Sequence, residues 1–263
     1  MPAFIDALTQ VYLENPCRVL PNPLWKTLAE LDHFRTTVEV GRDGLVKRLE
    51  AAGDDQLFVH WTREGRKPSL LMRRRLETMR RALVHQHYLD PDTTAGFATR
   101  LPFFRLIHRG DPAPPSLPPG YRFEAVDPTG QAQAVADFIA ECYDDLKPAA
   151  GTVQNWSRHP VYAPDLWAWV VNEQIGERAA LVIGELDPAI GEMSLEWVQV
   201  RSAYRGKGLG KAAVLELLRR AAGRAAFTTV SGPVENRDKP GGFYRACGFT
   251  GYDVWWLLAD PFR

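Results

Sequence analysis

The sequence predicts an α/β fold in which helices flank a central sheet and a mainly helical region precedes it. Three observations support this prediction. Apolar runs of strand length alternate with amphipathic helical patterns from residue 121 onward. The apolar run 195–200 passes through a glycine-rich basic turn, 205–210, directly into a helix. A proline-dense seam at 110–120 separates this region from residues 1–109, because such a segment behaves as a stiff spacer.

The elements after the seam follow from their periodicity and their turn residues. Strands are predicted where apolar residues run together or alternate, at 121–126, 166–171, 179–184, 195–200 and 227–231, with a last pair over 249–258. Helices are predicted where apolar residues recur at helical spacing, at 131–143, 152–159, 211–223 and 240–247. Pro240 suits the first turn of the last helix, and Gly248 suits its C-cap.

The region before the seam carries weaker signals. Helical spacing occurs at 24–36, 44–52 and 69–88, and strand-like runs occur at 56–61 and 103–107. We find no repeat and no second glycine-rich turn there. The expected organisation is an N-terminal accessory domain over 1–109, a linker over 110–120 and a second domain over 121–263.

Composition is typical of a soluble enzyme. The chain has 263 residues, 45% of them hydrophobic, and eight tryptophans, enough for a substantial core. No run approaches the ~20 apolar residues of a membrane span, and the N-terminus lacks the basic segment of a signal peptide. The three cysteines lie far apart, which favours a reducing cytoplasm over a disulfide scaffold. We expect Cys247 to be a packed thiol rather than a nucleophile.

Charge indicates neither a nucleic-acid nor a membrane partner. The chain has 32 basic and 32 acidic side chains, so its net charge is zero. The strongest local feature is an arginine cluster, Arg73–Arg75 with Arg80 and Arg81, on the helix predicted over 69–88. A solvated face is the favoured interpretation. Contact with an acidic substrate or with coenzyme phosphates is the first alternative, and nucleic-acid binding is the more remote one. The histidines do not have the spacing of a metal site.

The glycine-rich turn is the most informative motif. A turn that opens a helix presents unpaired N–H groups and the positive end of the helix dipole to an anion, so we expect a phosphate there. The P-loop pattern does not fit, because only three residues separate Gly206 from Gly210 and Ala212 stands where a hydroxyl is required. The dinucleotide pattern fails in its last spacing. The pattern Q/R-x-x-G-x-G/A fits at Arg205, Gly208 and Gly210.

That pattern resembles the diphosphate loop of the GCN5-related N-acetyltransferase (GNAT) superfamily. Asn236 and the motif Y-x-x-x-G-F, which begins at Tyr244, are similar to the superfamily's C-terminal motif. The resemblance covers about residues 117–263 and extends to a bacterial branch with an N-terminal extension. It implies a mixed, mostly antiparallel sheet whose fourth and fifth strands splay apart. It also implies acetyl-CoA as co-substrate, no metal, and coenzyme contacts from Val198, Gln199, Val200, Arg205, Gly206, Lys207, Gly208, Leu209, Gly210, Lys211 and Asn236.

Two residues carry the catalytic roles that the resemblance implies. Tyr244 would protonate the departing thiolate; its alternative is core packing with a satisfied hydroxyl. Glu196 would bind the substrate amine or deprotonate it indirectly, and by the two-residue period it shares a strand face with Val198 and Val200. Its alternative is a structural ion pair. Asp238 and Asp253 are reserve candidates for the general base.

The predicted function is transfer of an acetyl group from acetyl-CoA to a primary amine of a small molecule or peptide, by direct attack in a ternary complex. The alternative is a non-catalytic acyl-CoA sensor of the same fold. Since some members of the superfamily contain two copies, residues 1–109 are either a helical accessory domain, which we favour, or a decayed copy. The protein is expected to be a cytoplasmic monomer or homodimer. Tryptophans are predicted in the core, with one or two available to line an apolar acceptor pocket: Trp156, Trp167, Trp169, Trp255 and Trp256.

Overall fold

The computed structural model describes residues 2–64, 70–143, 146–235 and 240–260. Its helices are α1 (Pro2–Glu14), α2 (Pro16–Val19), α3 (Leu24–Glu30), α4 (Leu70–Glu77), α5 (Pro91–Ala95), α6 (Ala132–Cys142), α7 (Ala150–Trp156), α8 (Leu209–Ala221) and α9 (Pro240–Ala246). Its strands are β1 (Arg35–Val40), β2 (Val46–Ala52), β3 (Gln56–Thr62), β4 (Arg81–His85), β5 (Thr99–His108), β6 (Tyr121–Ala125), β7 (Tyr162–Asn172), β8 (Arg178–Asp187), β9 (Glu192–Val200), β10 (Phe227–Pro233) and β11 (Thr250–Ala259). Within the described ranges, no helix is long and apolar enough to cross a membrane.

The chain divides into two compact units. The first consists of residues 1–106, 231–241 and 250–263, and the second of residues 107–230 and 242–249. The C-terminal strand β11 therefore belongs to the first unit. The seam at 110–120 contains no helix or strand.

The first unit is built on a sheet with the order β1-β2-β3-β4-β11-β5. Strands β1, β2 and β3 form an antiparallel meander. Helix α4 then connects β3 to β4, which runs parallel to β3, and β11 adds to β4 in the antiparallel direction. A core cluster forms around Leu57, Leu76, Val84 and Leu258, so α4 packs on this sheet.

Two of the helices predicted in this region are corrected by the structure. Residues 44–52 contain strand β2, although their apolar spacing fits a helix; pairing with β1 and β3 on both sides outweighs the local pattern. The helix predicted over 69–88 ends at Glu77, and β4 begins at Arg81. The helix predicted over 24–36 is confirmed only as far as Glu30. The strand-like runs 56–61 and 103–107 are confirmed as β3 and β5.

The arginine cluster is consequently divided between a helix and a strand, and it lies among acids. Arg73 pairs with Asp90. Arg75 lies 3.2 Å from a carboxylate oxygen of Glu50. These ion pairs within the first unit agree with a structural role for the cluster.

The second unit is built on a sheet with the order β10-β9-β8-β7-β6. Strands β6 to β9 are antiparallel neighbours, and β10 runs parallel to β9 after the crossover helix α8. On one face, α6 and α7 cover a cluster that includes Phe138, Trp167 and Trp169. The leucines of α8, among them Leu217, pack on the other face beside Gly184. All strands and helices predicted between 121 and 247 are confirmed, but the last pair of strands over 249–258 is a single strand, β11.

Candidate active site

Strands β9 and β10 separate partway along their length. Their parallel register runs from Glu192 opposite Phe227 to Leu195 opposite Val230. Strand β9 continues to Val200 and β10 to Pro233, and within these described residues no further pair is formed. The predicted splay between the fourth and fifth strands is therefore confirmed. From residue 197 to residue 200, β9 stays paired with β8 on one edge, and on its other edge the separation leaves an opening between β9 and β10.

A β-bulge lies where the strands begin to separate. On β8, Ile183 pairs with Trp197 and the next residue, Gly184, pairs with Leu195, so Glu196 is an extra residue on β9. Bulges commonly re-aim a side chain at functional sites. Here the Ser194 hydroxyl donates a 2.8 Å hydrogen bond to Oε1 of Glu196.

The bulge corrects one prediction about Glu196. Ser194 pairs with Glu185 on β8, and Trp197 pairs with Ile183. Glu185 and Ile183 are two residues apart, so their side chains and those of their partners lie on the same face of the sheet. Glu196 therefore lies on the face of Ser194 and Trp197, which is covered by α6 and α7. Val198 lies on the opposite face, because its partner is Val182. The prediction that Glu196 shares a face with Val198 and Val200 is wrong, because the extra residue breaks the two-residue period.

The glycine-rich turn follows β9 through a short 3₁₀ segment, Ser202–Tyr204. Gly206 and Gly208 have φ values of 77° and 81°, a region that suits glycine. Gly208 is the N-cap of α8 and carries no side chain to cap the first amides. Residues 205–208 are exposed. The first N–H groups of α8 have no partner within the helix and point back toward this exposed turn, where an anion can accept from them.

Neighbouring contacts hold this turn in place. Nε of Arg205 donates a 3.2 Å hydrogen bond to the carbonyl oxygen of Val200, linking the turn to the end of β9. Nζ of Lys207 lies 4.9 Å from the ring centre of Tyr204. A Cβ on Gly210 would lie 3.3 Å from Val200 and 3.4 Å from Phe243, so glycine permits close packing of α8 on β9 and α9.

The structure brings most of the predicted coenzyme residues together. Residues 198–200 form the end of β9, and residues 205–211 form the turn and the first residues of α8. Asn236 and Asp238 lie outside the described residues. Asp253 lies on β11 in the first unit, where its Oδ1 is 2.9 Å from Nε2 of His85.

Gln199 differs from the other predicted coenzyme residues. Its partner on β8 is Leu181, a member of the cluster under α6 and α7, so its side chain lies on the face opposite α8. It is 4% exposed, and among the described residues neither Oε1 nor Nε2 has a hydrogen-bond partner. Only its main chain can therefore face the opening between β9 and β10.

Replacing Gln199 with methionine is expected to stabilise the protein. Methionine has a similar volume and removes two buried polar atoms, each of which costs about 1–3 kcal/mol when unsatisfied. We expect the melting temperature to rise by roughly 2–4 °C for each kcal/mol gained, measured by calorimetry. Gln174→Met, in an exposed turn, is the matched control and should have little effect. An unchanged or lower melting temperature for Gln199→Met would show that the buried amide does not destabilise the protein.

Tyr244 lies on α9, buried between aromatic rings. Its ring centre is 5.0 Å from that of Phe243 and 5.8 Å from that of Phe249. Burial, with a smaller contribution from Tyr143, raises the pKa of the Tyr244 phenol well above its usual range. The phenol therefore keeps its proton at neutral and moderately alkaline pH, as a proton donor must. Burial likewise raises the pKa of Cys247 to about 11, which agrees with a packed thiol.

Three aromatic residues beside the bulge form a group that the sequence did not predict. Trp197 directly follows Glu196, Trp156 lies on α7, and Tyr143 caps the C-terminus of α6. The sequence suggested Trp156 only as one of five tryptophans that could line a pocket. Apolar periodicity assigns all three rings to the core, and it gives no indication of a bulge that turns Trp197 toward α7.

Comparisons with known proteins agree with this geometry. Residues 164–251 match the model of the acetyltransferase (GNAT) domain family. A search of curated proteins gave no match. Among solved structures, the chain is similar to a GCN5-related N-acetyltransferase from Sphaerobacter thermophilus, with 15% identity over 89% of this chain and 84% of that one and a TM-score of 0.63.

The alignments with two further solved structures cover nearly the whole chain. A GNAT-family acetyltransferase from Colwellia psychrerythraea is 14% identical over 97% of both chains, with a TM-score of 0.61. A tandem GNAT protein from the clavulanic acid biosynthesis pathway is 16% identical over 100% of this chain and 97% of that one, with a TM-score of 0.54. At these identities the likeness shows the fold alone. The match over residues 164–251, the splayed strands and the glycine-rich turn agree in showing that this part of the chain is similar to GNAT acetyltransferase domains.

Proposed function

We propose that this protein is an N-acetyltransferase that moves an acetyl group from acetyl-CoA to a primary amine of a small molecule or peptide. The observation that carries the proposal is the exposed turn at Gly206 and Gly208, which opens α8 directly beside the splayed end of β9. A diphosphate fits this turn, because exposed amides at a helix N-terminus bind phosphate. The pantetheine arm would then lie along residues 198–200.

The proposed chemistry needs from the chain positioning, a main-chain N–H, one proton donor and one proton acceptor. The neutral amine attacks the thioester carbonyl, and a tetrahedral oxyanion forms. A main-chain N–H on β9 past the bulge would stabilise this oxyanion, a contribution usually worth several kcal/mol. The C–S bond then breaks, and Tyr244 donates its proton to the departing thiolate. The amine's own proton leaves toward Glu196, directly or through water.

Titration calorimetry with acetyl-CoA, paired with an assay for thiol release in the presence of amines, tests this proposal. We expect one coenzyme per chain and amine-dependent release of thiol. Binding without turnover of any amine would favour an acyl-CoA sensor. Absence of binding to well-folded protein would remove both functions.

Replacing Glu196 with glutamine is expected to lower kcat/KM for the amine by about 10²-fold, the usual size of an acid–base contribution. Binding of acetyl-CoA should not change, since the side chain lies on the face opposite α8. The matched control is Glu192→Gln, four residues earlier on β9. Glu192 is buried and accepts a hydrogen bond from Thr229, and glutamine retains an acceptor for that bond. Equal activity of both variants would assign Glu196 a structural role.

We also propose that residues 1–109 are a degenerate copy of the same domain. The first unit has an antiparallel meander, β1-β2-β3, followed by a helix and a strand parallel to β3. The second unit has the same succession in β7-β8-β9, α8 and β10. The likeness to a tandem GNAT protein supports a duplication. The sequence between β3 and α4 lacks the Q/R-x-x-G-x-G/A pattern, so we expect this copy not to bind coenzyme. A stoichiometry of two coenzymes per chain would contradict its decay.

A further inference from the structure

The three aromatic residues Tyr143, Trp156 and Trp197 form what we call the ring wall. The indoles of Trp156 and Trp197 are stacked, with centres 5.4 Å apart and planes at 27°. The phenol ring of Tyr143 meets Trp197 edge-on at 6.1 Å. Each of the three is only partly buried against the core cluster of the second unit. Apolar ring surface therefore remains open to solvent at this point.

The ring wall lies next to the atoms proposed to react. Trp197 follows the bulge residue directly, and both side chains lie on the face covered by α6 and α7. Tyr143 is close enough to Tyr244 to contribute to the raised pKa of that phenol. A molecule that places its amine near Glu196 would thus have the rest of its structure against these rings.

Charge around the ring wall favours a cation. Glu196 supplies a carboxylate at the bulge. The guanidinium of Arg201, which covers the ring of Phe138 on this face, is neutralised by hydrogen bonds to Glu141 at 3.0 Å and Glu177 at 2.9 Å. An ammonium group is therefore attracted to the bulge, whereas a carboxylate beside the rings is not.

We propose that the acceptor is an arylalkylamine, a primary amine joined to an aromatic ring by a short alkyl chain. This inference rests on the proposed function, because it assigns the substrate class of the same site. An aromatic ring placed edge-on or offset against Trp197 and Trp156 adds about 0.5–1.5 kcal/mol to the free energy gained from area burial alone. An aliphatic chain of equal length gains only the free energy of area burial.

The first experiment compares phenethylamine with hexylamine, which has a similar length and no ring. We expect kcat/KM for phenethylamine to be about tenfold higher, equivalent to roughly 1.4 kcal/mol. Trp197→Leu should raise the KM for phenethylamine about tenfold and change the KM for hexylamine by less than about threefold. Trp197→Phe, which keeps an aromatic ring, should retain most of the preference for phenethylamine over hexylamine. Trp256→Leu, at a partly buried tryptophan in the first unit, is the control and should change neither.

A binding measurement separates this inference from the proposed function. The two amines are titrated by calorimetry into the protein saturated with desulfo-CoA, so no reaction is needed. Tighter binding of phenethylamine that is lost in Trp197→Leu supports the inference even if no amine is turned over, an outcome that would overturn only the proposed function. Equal affinity and equal kcat/KM for the two amines, or an effect of Trp197→Leu on both alike, would overturn the inference and leave acetyl transfer intact.

Discussion

Gly208→Ala is expected to weaken the binding of acetyl-CoA by at least about tenfold, or roughly 1.4 kcal/mol. Gly208 has a φ of 81° and is the N-cap of α8. A residue with a Cβ costs about 1–2 kcal/mol in this conformation, so the turn either moves its amides or holds a methyl group where a phosphate would approach. Titration calorimetry measures the change in Kd.

Gly223→Ala provides a matched control at the other end of the same helix. Gly223 has a φ of 79°, and a Cβ on either glycine meets no atom of the described chain within 4 Å. The two substitutions therefore introduce the same backbone strain, and their melting temperatures should fall alike. Only Gly208→Ala should alter coenzyme affinity. Equal affinities in the two variants would show that the diphosphate binds elsewhere.

Tyr244→Phe is expected to lower kcat by about 10²–10³-fold, because the departing thiolate loses its proton donor. Phenylalanine keeps the ring packing against Phe243 and Phe249, so acetyl-CoA should bind as before. Since burial raises the pKa of the phenol, this group should not reduce the wild-type rate as the pH rises from 7 to about 10, the ordinary pKa of tyrosine. Single-turnover kinetics across this pH range measure both expectations.

The control for Tyr244→Phe is Tyr252→Phe, at a side chain that is 84% exposed on β11. It should retain the wild-type kcat. If Tyr244→Phe also retains it, water or another group protonates the thiolate, and Tyr244 has only a packing role.

The sequence predicted the second unit well because its signals are local. The turn at Gly206 and Gly208 and the amphipathic period of α8 do not depend on distant residues, and both are as expected. The bulge at Glu196 is a property of the pairing of β9 with β8, so a strict two-residue period assigned that side chain to the wrong face. Strand β2 was missed for a similar reason. Its apolar spacing suits a helix, and its strand pairing depends on β1 and β3.

The pairing of β4 with the distant strand β11 has a consequence for biosynthesis. Strand β4 pairs with β11, with Val84 opposite Trp256, so a central strand of the first sheet is synthesised long after the strand that it pairs with. Contacts so distant in sequence form slowly, because a long loop must close first. Until β11 has been synthesised, one edge of β4 has no neighbour, and an unprotected strand edge invites aggregation. Cleavage at the proline-rich seam would separate β4 from β11 in the same way, so the fragment before the seam is not expected to fold alone.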